Sequence, residues 1–163
     1  MNQTEKHIMN FYKSINIIDP LLLSKELITE QLNIKLFYWK HSSAIVRRND
    51  KYHLFINESL TMQRQWQEFG HEMYHYFYDE TNYNVLRETY ATYGESKADY
   101  FAYHFCVPTF MLMQFKGAEV YDVMDLFKVD YSFALRRLEM FRSKMIGRDE
   151  IGSHTRIGQK QKI

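Results

Sequence analysis

From residue 60 to residue 78 apolar side chains return every three or four positions, as Leu60 or Met62, Trp66, Phe69, Met73 and Phe77. That spacing matches the 3.6-residue period of an α-helix, so the segment is expected to be one helix with a single buried face. So bulky a stripe requires a second long element packed against it. A polar stretch over 79–84 ends the helix, and a second is expected over 86–105. Its inward positions are Tyr90, Ala91, Gly94, Ala98, Phe101, Ala102 and Phe105. Pro108 marks its end, because proline has no N–H with which to continue the ladder.

The remaining segments can be arranged around this pair. Residues 3–15 and 20–32 read as short helices. Asp19 caps the second, Pro20 takes its first position, and Leu21, Leu22, Leu23, Leu27, Ile28 and Leu32 form its stripe. Runs over 34–39, 44–47 and 52–57 are β-rich, with a turn signal at Arg48-Asn49-Asp50-Lys51, and are read as a three-stranded antiparallel sheet. Short helices are expected near 109–115 and 119–127. A last helix over 130–145 would turn Phe133, Leu135, Leu138 and Phe141 inward and Arg136, Arg137 and Arg142 outward. The expectation is a mostly helical α+β fold, with one domain over 1–147 and a flexible basic tail over 148–163.

Charge narrows the partners. With 21 Lys and Arg against 20 Asp and Glu, the net charge of +1 argues against a global field for nucleic acid or a membrane surface. The basic excess after residue 136 reads as a solvated helix end and tail rather than a nucleic-acid contact. The longest uncharged stretch, 100–115, contains His104, Pro108 and Gln114 and falls short of the roughly 20 apolar residues of a membrane span. The lone Cys106 cannot form an internal disulfide, and residues 1–5 lack a signal-peptide pattern, so a cytoplasmic protein is expected. A chain this long can fold without a metal, and any metal would serve chemistry.

The chemistry lies inside the first long helix. His71-Glu72-Met73-Tyr74-His75 is an HExxH sequence. Spacing of four puts both imidazoles on one face, where they can meet one zinc ion, while Glu72 lies to one side as a candidate proton acceptor. Chance supplies this pattern in about 2% of shuffled chains of like composition, so a third ligand is required before the motif carries weight. Glu95 is the best candidate, far enough downstream to return on an antiparallel helix, and Asp99 shares its face and can hold a ligating imidazole. Glu88 is weaker, since Thr92 occupies the corresponding position and a helix-dipole role accounts for it. Cys106 and His104 are expected to be core residues, with His104 satisfied between the helices, and His7, His41, His53 and His154 have no paired spacing. Any of Tyr74, Tyr76, Tyr78, Tyr93 or Tyr100 could donate a hydrogen bond to a developing oxyanion.

These blocks resemble the ImmA/IrrE family of zinc-dependent regulatory peptidases. The resemblance runs over about 52–140. It comprises His53-Leu54-Phe55-Ile56-Asn57-Glu58, the HExxH, Glu95-Ser96-Lys97-Ala98-Asp99-Tyr100-Phe101-Ala102 running on to Val107-Pro108, and the closing stretch from Leu126 to Leu138. It implies a zincin-like, minimal thermolysin-like fold, one zinc on His71, His75 and Glu95, Glu72 as catalytic base, and Asp99 behind a ligand. It also implies a protein substrate, a helix-turn-helix repressor of a mobile element or stress response. The family commonly has Leu-Gly where this chain has Met73-Tyr74, which is expected to narrow the cleft. Two other readings are a zinc-loaded module that holds a partner without cutting it, as in a toxin-antitoxin pair, and a general peptidase of short peptides.

Overall fold

A computed structural model describes the backbone of residues 1–78 and 89–157, and the side chains of 1–78 and 94–146. The alternative ligand Glu88 lies outside the described residues, as do the side chains of Tyr90, Ala91, Tyr93 and His154. In chain order the elements are α1 (Gln3–Ser14), a 3-10 turn (Pro20–Leu22), α2 (Lys25–Gln31), β1 (Lys35–Trp39), β2 (Ala44–Arg48) and β3 (Lys51–Asn57). They continue with α3 (Met62–Tyr78), α4 (Thr89–Cys106), α5 (Thr109–Leu112), α6 (Val120–Phe127) and α7 (Tyr131–Ile157). Among the described residues no helix is long and apolar enough to cross a membrane.

The fold is a mixed α+β arrangement, and its sheet corrects one expectation. Strands β2 and β3 are antiparallel, joined at Asn49 and Asp50, both with positive φ as a tight hairpin turn requires. Strand β1, however, pairs with β3 in parallel, giving the order β1-β3-β2. The pairing places β3, whose Leu54 and Ile56 are fully buried, at the centre, where one face packs on α3. The β1–β2 connection therefore passes over the end of β3 rather than turning a hairpin.

Helices α3 and α4 make the main packing contact of the molecule. Trp66, Phe69 and Met73 meet Phe101, Phe105 and Cys106 in the core, as their periodicity indicates. The approach is close at Gly70, where an added Cβ would stand 2.6 Å from the Cys106 sulfur. Cys106 is a core residue whose thiol donates to the Trp66 carbonyl at 3.3 Å.

Several details depart from the apolar pattern. The expected 20–32 helix breaks into the 3-10 turn and α2, because Ser24 caps Leu27 N–H and restarts the helix, leaving Leu21 and Leu22 exposed. Helix α7 continues to Ile157, beyond the expected 145. Leu135 is exposed, while Arg137, expected outside, is fully buried. Its guanidinium donates to the Val107 carbonyl at 3.0 Å and to the Thr109 hydroxyl at 2.7 Å, satisfying backbone left open where α4 ends. Beside it Glu5, also buried, accepts from Thr109 and Lys144.

Candidate metal centre and cleft

One turn of α3 separates His71 from His75 and brings their Nε2 atoms to 3.4 Å. Helix α4 delivers Glu95 against both, with one oxygen 3.0 Å from His71 Nε2 and the other 3.7 Å from His75 Nε2. The three side chains each offer a ligand atom within 4.8 Å of the others, a group that could hold a metal ion. The donor set fits zinc. Two nitrogens on a tetrahedral ion at about 2.0–2.1 Å stand roughly 3.3 Å apart, close to the imidazole spacing here.

Asp99, one turn after Glu95, lies 2.8 Å from His71 Nδ1. A carboxylate can only accept, so Nδ1 carries the proton and the Nε2 lone pair points toward His75 and Glu95. Sequence spacing placed all four residues, and the structure brings them together.

Glu72 sits beside this group with a different environment. Its carboxylate accepts the Ile45 N–H of edge strand β2 at 3.0 Å. Burial pushes its pKa up, against the downward pull of the His75 and His71 imidazoles and the Ile45 N–H. A carboxylate so raised is a better proton acceptor near neutrality than an exposed one.

His71, Glu72, Glu95 and Asp99 line a cleft of about 600 Å³. One wall is the start of β2, where the Ser43 hydroxyl accepts the Asn57 N–H at 3.0 Å and donates to the Glu68 carboxylate. The opposite wall is Tyr103 and Phe133, whose ring centroids are 4.4 Å apart. Gln67 closes a third side, exchanging two hydrogen bonds with Asp130, which also pairs with Arg64 at 2.8 Å.

Sequence reasoning missed the cleft's tyrosine. Tyr76 packs on Tyr52, Tyr78 meets His7, and Tyr100 accepts from Asn2 at 2.8 Å, whereas Tyr103 lines the cleft. The signal was present: Glu95, Asp99 and Tyr103 recur every four residues along one face of α4. Tyr74 lies over Phe101 and Tyr78 and edge-on to His75, outside the residues that line this cleft. Nor is His104 satisfied among the described residues: it is buried, and neither ring nitrogen finds a hydrogen-bond partner there.

A helix-borne pair of imidazoles with a carboxylate from a second helix and an adjacent half-buried glutamate is the arrangement of a metallopeptidase centre. A family model described as the IrrE N-terminal-like domain, peptidase M78, matches residues 29–139, and the chain belongs to this metallopeptidase family. It is 28% identical over 152 residues to the phage-like element PBSX protein XkdA of Bacillus subtilis (strain 168), covering 90% of this chain and 77% of that one. It is 31% identical over 154 residues to the uncharacterized protein YqaB of the same strain, covering 89% and 90%. No solved structure matches.

Proposed function

We propose that the chain is a zinc-dependent endopeptidase with a single zincin-like domain over 1–147, acting in the cytoplasm on a helix-turn-helix repressor of a mobile element. The observation that carries the reading is the convergence of His71, His75 and Glu95 beside a half-buried Glu72. The name of XkdA, a protein of a phage-like element, supports the mobile-element setting.

His71, His75 and Glu95 would hold one zinc per chain, and Asp99 keeps His71 in the donor tautomer. When bound, zinc polarises the scissile carbonyl and acidifies water. Glu72 accepts a proton from the attacking water and returns it to the leaving amine. The Ile45 N–H holds one oxygen of Glu72 and so sets the direction of the other. The Tyr103 hydroxyl, on the opposite wall, is the cleft's candidate donor to the developing oxyanion.

The test is to incubate the zinc-loaded chain and Glu72→Gln with candidate repressors and to read intact masses. One site-specific cut by the native chain and none by Glu72→Gln, with equal zinc in both, is expected. Repressor bound but uncut by both would support the partner-holding reading, and free cutting of unrelated peptides the general one.

A further inference from the structure

The sheet has a second face, away from α3. Side chains alternate along a strand, and paired residues share a side, so the register sorts them. Leu54 and Ile56 point into the core, which places Lys35, Phe37 and Trp39 of β1 on the outer face with His53 and Phe55 of β3. The antiparallel register adds Val46, Arg48 and Lys51 to that side.

Four aromatic rings there form a continuous column. His53 lies on Phe37 at 6.0 Å and 9°, Phe37 on Phe55 at 5.2 Å and 19°, and Phe55 meets Trp39 at 4.5 Å and 33°. The His53 ring is held by a contact from Nδ1 to the Lys51 carbonyl at 3.2 Å. Phe37 is 41% exposed, a large apolar side chain left to water at the middle of the column.

Charge on this face is one-sided. The three strands carry four Lys or Arg and no Asp or Glu, in a chain whose net charge is only +1. Three of those cations, Lys35, Arg48 and Lys51, share the face and cluster at its His53 end. The near-neutral total therefore conceals a basic aromatic sheet.

We propose that this outer face binds single-stranded DNA, with bases extending or entering the ring column and phosphates meeting Lys35, Arg48 and Lys51. Exposed π-faces and a basic rim are the two elements of sequence-tolerant single-strand recognition. A duplex keeps its bases stacked inside and could use only the cations, and an acidic peptide has no use for the column. The middle of the face, Phe37, Phe55, Val46 and Ala44, offers no side-chain hydrogen-bonding group to a ribose 2′-hydroxyl, which favours DNA over RNA. The rings and cations of the face are not among the residues lining the cleft, although Trp39 donates to the Ser42 carbonyl at its rim, so binding does not require peptidase activity.

Fluorescence anisotropy of a labelled oligo-dT of about 12 nucleotides tests this on the full chain. Binding is expected, with Trp39 emission quenched and affinity falling roughly 20-fold between about 50 and 200 mM salt if three phosphates are neutralised. Phe37→Ala should weaken binding about tenfold with the salt slope kept, whereas Lys35→Glu should also flatten the slope. Both side chains are exposed, and circular dichroism with zinc content verifies the fold of each variant. No anisotropy change at low salt, equal affinity of Phe37→Ala, displacement by poly-glutamate as effective as by oligo-dT, or tighter binding of oligo-rU would each overturn the proposal.

Discussion

Two polar clusters in this molecule use the same residue types and do opposite things. In the cleft, His71 and His75 face Glu95 and Asp99, with the carboxylate side chains 58% and 69% exposed. In the corner where α1, α4, α5 and α7 meet, His104 faces Glu5, with side chains only 4% and 1% exposed. The corner is already neutralised, because Lys144 and Arg137 lie against the carboxylate and the helix end. In the cleft the imidazoles meet the carboxylates of Glu95 and Asp99. Histidine meets carboxylate in both places, but among the described residues the donor atoms that converge into a group able to hold a metal ion are those of His71, His75 and Glu95.

The contrast can be broken from either side. The largest expected effect is on folding. Arg137→Met would strand the Val107 carbonyl and leave Glu5 buried with less compensation, costing about 3–5 kcal/mol in denaturant unfolding while zinc affinity is unchanged. A loss of metal with no loss of stability would contradict the division of labour.

Acid should unfold the corner first. Burial, then the Arg137 charge, holds His104 at about 3 against its usual 6.5, so its contribution is full above pH 6.5 and declines as pH falls toward 3. Burial would raise Glu5, but bonds from Lys144, Asn2 and Thr109 override it and hold it at about 2, adding a loss below pH 4.5. Stability should therefore drop by about 2–3 kcal/mol from His104 alone between pH 7 and pH 4.5. Thermal melts of His104→Phe across that range should show a shallower decline, and a parallel one would refute the assignment.

Smaller effects sharpen the cleft side. Asp99→Asn should weaken zinc binding about 10- to 100-fold by competition titration with little change in melting temperature. Gly70→Ala should cost about 1–2 kcal/mol because its Cβ meets the Cys106 sulfur, and Cys106→Ala in the same chain should recover most of it.

How legible this was in the sequence depended on what each pattern encodes. The α3 stripe and the four-residue spacing of His71 with His75 and Glu95 with Asp99 encode a helix face directly, so the side chains that converge were legible before the fold was. Strand alternation encodes which face is buried but not which strand is the neighbour. The turn at Asn49 and Asp50 therefore announced the β2–β3 hairpin, while the parallel β1–β3 pair stayed hidden. Arg137 was misplaced because periodicity counts charge as outside, and only the carbonyl ending α4 and the Glu5 carboxylate, distant in sequence, explain its burial. Tyr103 shares the face of Glu95 and Asp99, but helical spacing alone does not distinguish it from the other tyrosines of α4, and only the packing of Phe133 against it marks the cleft wall.

The measurement that tests the central claim most directly is zinc per chain after loading and desalting, for the native protein and Glu95→Ala. Close to one zinc is expected in the native chain, and a sharp loss in the variant at unchanged fold. A folded native chain that retains no zinc, or a Glu95→Ala chain that retains all of it, would contradict the site built on His71, His75 and Glu95.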